Sequence, residues 1–185
     1  VDLFHWRSVI THMSTRYGTL GDLKTQAASR GIDLTEADIR WAELSIFKRA
    51  YRIIEGKGYP CKMLMCSMRI SPPMNDGSQA SWHIEKIAGG NVVYTCPPGY
   101  IEELMKVEDQ LKPFNPEAIY ELAPKATLEK LLRLPYFVQA YEPDGMTRKD
   151  FNKQGALVAT AAEFSKATRT TVDFVAQQFQ VMGRM

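Results

Sequence analysis

The sequence has no apolar run that approaches the roughly 18 residues of a membrane-spanning helix, and no signal-peptide pattern opens it. An excess of one charge is also missing, because 23 Lys and Arg stand against 21 Asp and Glu, a net charge of +2. Nucleic-acid and anionic-membrane ligands favour strongly basic surfaces. We therefore expect neither nucleic acid nor a membrane as a partner.

Cysteine is scarce, and the three that occur, Cys61, Cys66 and Cys96, lie on or beside predicted strands. An odd number of cysteines on strands is typical of reduced core thiols in a cytosolic protein. No Cys-x-x-Cys or His-x-x-x-His spacing indicates a metal site. We predict a cytoplasmic protein with no metal and no cofactor.

Two short apolar runs, Met63 to Cys66 and Asn91 to Cys96, flank a short predicted helix from Ser81 to Ile87. This order predicts a βαβ unit, and therefore a parallel strand pair and an α/β architecture. The first run is uniformly apolar, which predicts a strand covered on both faces. We find only these two convincing strands, so helix dominates the prediction.

Ser67 and Arg69 alternate with apolar neighbours just after the first strand, which places both on one face. The end of a parallel strand is where side chains meet a ligand crevice. An arginine there suits a phosphate or carboxylate because its planar fork donates parallel hydrogen bonds. The alternative is that Arg69 caps a surface loop or pairs with a carboxylate such as Asp76.

Two longer helices frame this unit. Thr35 is a predicted N-cap, and an apolar stripe follows it to Ile54, where Gly56 and Gly58 end the helix. The basic residues Lys48, Arg49 and Arg52 face away from the stripe and predict a solvated face. The residues from Thr147 to about Met182 predict one long helix whose apolar stripe packs across other elements.

Five segments follow one another in an informative order: Phe47 to Tyr59, Met65 to Arg69, Ala88 to Pro97, Tyr100 to Met105, and Tyr141 to Thr147. In sequence and in order they resemble the C-terminal half of class I transaldolases. The resemblance implies a partial (β/α)8 TIM barrel of the transaldolase type, helix-rich, ending in a long helix. Residues 1–185 would form a single domain, shorter than the roughly 250 residues of a whole barrel. Because the chain begins at Val1, we interpret it as a fragment, a processed chain or the ordered part of a longer protein.

The resemblance also implies a function in carbohydrate metabolism, in the pentose phosphate pathway. Transaldolases transfer a dihydroxyacetone unit between sugar phosphates through a lysine Schiff base. By resemblance, Ser67 and Arg69 hold the substrate phosphate, whereas the nucleophilic lysine lies upstream of this chain. Lys62 lies at the wrong end of its strand, and Lys86, Lys106 and Lys130 lie on predicted exposed helix faces. The chain alone is therefore not expected to catalyse the reaction.

Some features favour an alternative, a transaldolase-derived binding or assembly module that has lost the chemistry. Asp2 stands where the family has a second phosphate-binding arginine, and the loop from Ile70 to Trp82 is longer than the family's turn. His83, beside that loop, is predicted to hold a surface or packing position rather than to act as a base. Two strands cannot close a barrel. We therefore expect their edges to be covered by another chain, as a homo-oligomer or a complementing chain, by further residues of the same protein, or by a rearranged helix.

Overall fold

The computed structural model describes residues 19–66, 68–71, 73, 77–153 and 155–182, and within these ranges the protein is a helix-rich α/β structure. Single-turn 3-10 helices occur at Glu108–Gln110 and Ala118–Tyr120. The other elements, in chain order, are α1 (Thr19–Ser29), α2 (Glu36–Gly56), β1 (Met63–Met65), α3 (Trp82–Glu85), β2 (Val92–Tyr94), α4 (Pro98–Lys106), α5 (Lys125–Leu132), α6 (Pro135–Tyr141), α7 (Arg148–Phe151) and α8 (Gly155–Met182).

The two strands pair in parallel, with Met63 opposite Val92 and Met65 opposite Tyr94. The pairing continues one residue further, because the backbone N–H of Thr95 donates to the Met65 carbonyl at 2.9 Å. The helix α3 lies between the strands in the sequence, as a parallel connection requires. The predicted parallel pair is therefore confirmed, and with it the α/β class.

The prediction that β1 is covered on both faces is wrong. Met63 and Met65 are almost fully buried, but Leu64 between them is 44% exposed, and its neighbour Val93 on β2 is 47% exposed. Successive side chains of a strand point to opposite faces, so Leu64 and Val93 share the outer face. The described part of the chain buries only the inner face, which rests on α2.

Helix α2 is the centre of the structure. The Thr35 hydroxyl accepts from the Asp38 N–H at 3.1 Å, and the Asp38 carboxylate accepts from the Thr35 N–H at 3.0 Å, a reciprocal cap that confirms the predicted start. One side of α2, including Trp41, Phe47 and Tyr51, packs on the sheet and α4. Its other side packs against α1, α5 and α6. The helix is therefore buried on two sides.

The predicted solvated face of α2 is also wrong. Lys48 is only 3% exposed, and its Nζ donates to the carbonyls of Ala118 at 2.7 Å and Glu121 at 3.0 Å. Arg49 forms a salt bridge of 2.7 Å with Glu142. The Arg52 guanidinium donates to the Tyr120 carbonyl. The connector, residues 107–124 between α4 and α5, packs over this face through the residues from Ala118 to Glu121. The sequence pattern of α2 alone does not indicate this contact.

Two predictions about the C-terminal region also fail. Instead of one helix from Thr147 onward, α7 ends at Phe151 and α8 begins at Gly155. The apolar side chains of α8 do not pack across other elements within the described residues, because Phe164, Val172 and Phe179 are 60% to 67% exposed. So much exposed apolar surface on a helix of 28 residues is unusual unless another molecule covers it.

Asp38 predicts a specific loss of stability in acid. Burial alone would raise its pKa, but hydrogen bonds from Thr127, Thr35 and Lys130 outweigh burial and lower the pKa to about 2. The stabilisation is therefore complete above the ordinary pKa of 3.8 and is lost as the pH falls toward 2. Asp38→Asn should lower the free energy of unfolding at pH 7 by about 1–3 kcal/mol and flatten its decline between pH 4 and 2. Urea unfolding across this range measures both effects. Asp33→Asn, which changes an exposed carboxylate on the loop just before α2, is the control, and an equal effect of both variants would contradict the prediction.

Lys48 predicts the opposite behaviour in alkali. Burial, reinforced by the charges of Lys86 and Arg52 and opposed by that of Glu121, lowers the pKa of Lys48 from 10.5 to about 8. The unfolded chain holds this proton more tightly, so the cost to folding is greatest below pH 8 and disappears as the pH rises toward 10.5. Between pH 7.5 and 9.5 the wild type should gain about 2 kcal/mol of unfolding free energy relative to Lys48→Met. The side chain of Lys125 is 91% exposed. The unfolding free energy of the wild type should therefore show no such gain relative to Lys125→Met over the same pH range. Parallel pH profiles for wild type and Lys48→Met would refute this.

Candidate functional site

A cavity of about 800 Å³ opens beside the residues that follow β1. Helix α2 forms one wall, the segment from Arg69 to Ser71 a second, and α3 with the end of α4 the remainder. The charged and aromatic side chains on these walls are Glu36, Arg40, Glu43, Arg69, Trp82, His83, Glu103 and Lys106. The volume lies within the range of about 300–1,000 Å³ that small-molecule sites usually have.

Hydrogen bonds join the two ends of the loop that leads from Ile70 to Trp82. The Ser71 N–H donates to the Ala80 carbonyl at 2.8 Å, and the Ala80 N–H donates to the Ser71 hydroxyl at 2.9 Å. Gln79 adds a bond from its amide to the Ser71 carbonyl at 2.8 Å. These bonds close the base of the long loop, so residues on both of its ends line the same cavity.

Charges of both signs surround the cavity. Arg40 lies 3.5 Å from Glu36 and 5.8 Å from the centre of the Trp82 ring, so its guanidinium is held between a carboxylate and an aromatic face. Arg69 is exposed and lines the cavity on the side nearest β1. Lys106 lines the cavity from α4. The cavity lining thus combines three cations with three carboxylates and a flat indole surface.

Glu43 and His83 form a buried pair that the sequence did not reveal as a pair. Each is 7% exposed, and the His83 Nε2 lies 3.7 Å from the Glu43 Oε1. The His83 Nδ1 is fully buried with no hydrogen-bond partner among the described residues. The packing role predicted for His83 fits its burial. The signal for Glu43 was an acid inside an otherwise buried helix, because a buried carboxylate needs a donor.

A second, smaller cavity of about 230 Å³ lies on the other side of α2. Ser45, Lys48, Arg49 and Arg52 line it from the helix, and Glu121 lines it from the connector. Arg49 follows Arg40 by nine positions, about two and a half helical turns, so the two arginines point in opposite directions. The sequence did not indicate this cavity, because Lys48, Arg49 and Arg52 were predicted to face solvent.

The predicted phosphate-binding pair is only half described. Arg69 lines the larger cavity, whereas Ser67, Asp2 and Asp76 lie outside the described residues, so the joint role of Ser67 and Arg69 stays a prediction. Of the predicted surface lysines, Lys106 lines this cavity. Lys86 and Lys130 are partly buried and pair with Glu121 at 3.4 Å and Asp38 at 2.9 Å, so the prediction that they are exposed needs correction.

Within the ranges that the structure describes, no group of three or more His, Cys, Asp or Glu residues is placed to hold a metal ion. None of the helices in those ranges combines the length and apolarity that crossing a membrane requires. Comparison of the chain with protein-family models, with curated proteins and with solved structures found no match.

Proposed function

We propose that this chain is the phosphate-binding part of a transaldolase-like transferase with a partial (β/α)8 barrel. The observation that carries the proposal is the position of Arg69. It lies four residues beyond β1, at the carboxyl end of a parallel strand pair, on the wall of a cavity of about 800 Å³. The carboxyl ends of parallel strands are where α/β enzymes bind their ligands.

The chemistry of the cavity supports a sugar phosphate as the ligand. Arg69, with Arg40 and Lys106 nearby, offers cations to the phosphate, and an arginine fork can donate two parallel bonds to its oxygens. The Trp82 ring, fixed against Trp41 at 6.1 Å, offers a flat apolar wall to a sugar. The Glu43 carboxylate can accept from a sugar hydroxyl. A ligand with one strongly anionic end and several hydroxyls fits this distribution.

The proposal assigns the nucleophile to residues outside this chain. A Schiff-base lysine must be neutral to attack a carbonyl. The lysine that lines the cavity, Lys106, is exposed at the end of α4. In the proposed enzyme another part of the polypeptide, or another chain, completes the barrel and brings the catalytic lysine. The outer faces of Leu64 and Val93 are where such a complement would cover the sheet.

The second candidate is a non-catalytic binding or assembly module derived from a transaldolase. Its support is the uncovered apolar surface, since α8 exposes Phe164, Phe174 and Phe179 by at least 60%. Exposed apolar surface of this kind usually marks a contact with another molecule. The two candidates differ in one respect that a titration can measure. The enzyme needs a sugar phosphate bound at Arg69, and the module does not.

Replacing Arg69 should weaken binding of a phosphorylated sugar selectively. A charge-assisted hydrogen bond contributes about 1.5–3 kcal/mol, so Arg69→Ala should weaken sugar-phosphate binding about tenfold or more. Binding of the same sugar without its phosphate should not change. Titration of wild type and Arg69→Ala with both sugars at fixed ionic strength tests this. Arg133→Ala is the matched control, because Arg133 is exposed and lies away from the cavity.

Equal affinities of wild type and Arg69→Ala for both sugars would remove the phosphate-binding role of Arg69. The module would then be the better account of the chain. A similar loss in Arg133→Ala would point to a general effect of surface charge and would also count against a built phosphate site.

A further inference from the structure

The smaller cavity combines donors that are not fully used. Ser45, Lys48, Arg49 and Arg52 follow one another on α2 at spacings of three, one and three, so they share one face of the helix. The connector around Glu121 closes the cavity from the other side. Its volume of about 230 Å³ corresponds to roughly seven or eight water molecules at about 30 Å³ each.

The carboxylates around this cavity already have partners. Glu142 binds Arg49 through both of its oxygens, at 2.7 and 3.4 Å. Glu121 accepts from Lys86 at 3.4 Å and from Asn115 at 3.0 Å. Glu55, further along α2, accepts from the hydroxyl groups of two tyrosines. None of these three carboxylate groups makes a described hydrogen bond or ion pair with Lys48 or Arg52.

Lys48 and Arg52 instead donate to neutral backbone carbonyls. Lys48 binds those of Ala118 and Glu121, and Arg52 binds that of Tyr120. An ammonium has one more N–H than these two bonds use, and a guanidinium has several more than one bond uses. Both positive charges therefore lie near the cavity without a carboxylate contact among the described residues.

Ser45 provides the observation that points to a ligand. The residue is 8% exposed, and its hydroxyl is fully buried with no hydrogen-bond partner among the described residues. A buried hydroxyl without a partner is costly, and native proteins rarely keep one. A serine within a helix could have bonded to the carbonyl one turn earlier, but this one does not. A ligand acceptor in the cavity would give it a partner.

We propose that this cavity binds a phosphate group, either as the free anion or as a small monoester, between Ser45, Lys48 and Arg52. A hydroxyl, an ammonium and a guanidinium are all donors, and they reach the cavity from different positions on the helix. A tetrahedral phosphate offers acceptor oxygens in several directions, which suits such a set. The site is independent of the proposed function, since it lies across α2 from Arg69.

Phosphate binding at this site should depend on the charge of Lys48. Burial, together with Lys86 and Arg52, lowers the pKa of Lys48 to about 8, while Glu121 opposes the shift. Arg49, which also lines the cavity, is held in its salt bridge with Glu142 at 2.7 Å. Phosphate stabilises the protonated lysine, so its affinity should be highest below pH 8 and fall above it. A phosphate monoester loses its second proton near pH 6 and stays dianionic above about pH 7.

The test is an NMR titration of the whole chain with inorganic phosphate, and separately with glycerol phosphate, at constant ionic strength. We expect at least one of the two to shift the amide signals of residues 45–52 and 118–122. Ser45→Ala should weaken binding about tenfold, because it removes one hydrogen bond to a charged group. Ser45→Ala is a mild change that removes a buried unpaired hydroxyl, so the variant should fold. Binding by wild type should also weaken several-fold from pH 7.5 to pH 9.5.

Two further variants distinguish binding at this site from binding in the larger cavity and from a general effect of surface charge. Arg69→Ala, in the larger cavity, and Lys125→Met, on the exposed surface, should both bind phosphate as the wild type does at residues 45–52. The proposal is overturned if neither ligand shifts these signals. It is also overturned if Ser45→Ala binds as tightly as wild type, or if Lys125→Met loses as much affinity as Ser45→Ala. Loss in Arg69→Ala alone would assign the phosphate to the larger cavity.

Discussion

The burial of α2 on two opposite sides is the constraint on which the rest of the structure depends. Its Phe47 and Tyr51 support the inner face of the sheet, and its Ala42 and Ile46 support α1, α5 and α6. Fully burying a side chain such as Phe47 stabilises a fold by roughly 1.5–3 kcal/mol. Because one helix carries both apolar clusters, it also supplies a wall to both cavities. The sites are therefore only as rigid as this helix.

Because α2 is buried on two sides, some of its polar side chains cannot form hydrogen bonds with water. Lys48 and Asp38 are each less than 5% exposed, and each is held by partners about 70 to 90 positions away. These bonds tie the connector and α5 to α2 and oppose the desolvation of the two charges. Where the set of partners is incomplete, at Ser45 and at the Nδ1 of His83, a cavity lies alongside. The proposed phosphate site uses one of these two positions, Ser45.

The sequence predicted what is decided locally. Thr35 as a cap, the buried stripe from Trp41 to Ile54 and the end at Gly56 depend on residues within a few positions of each other, and all three are found. Parallel pairing of the strands was also within reach, because a helix between two apolar runs leaves few other arrangements. The same order of elements led to the prediction that Arg69 lies beside a ligand crevice.

What the sequence missed depends on distant segments. Nothing near Lys48 indicates that the carbonyls of Ala118 and Glu121 will meet it, so a basic face looked solvated. The apolar run around Leu64 predicted two covered faces, yet the second cover has to come from a segment that the run does not specify. Glu43 and His83 are 40 positions apart and meet only once α3 packs on α2. Pairings of this kind belong to the tertiary structure.

The exposure of α8 has a consequence for how its backbone exchanges hydrogen with solvent. The helix has 28 residues and is about 42 Å long, but an isolated helix in water owes little stability to its own sequence. Its amides should therefore open locally and exchange far faster than those of α2, which open only when the core does. Covering the stripe of Phe164, Val172 and Phe179 would slow that exchange. The exchange rate of α8 is thus a direct gauge of whether this surface is occupied in solution.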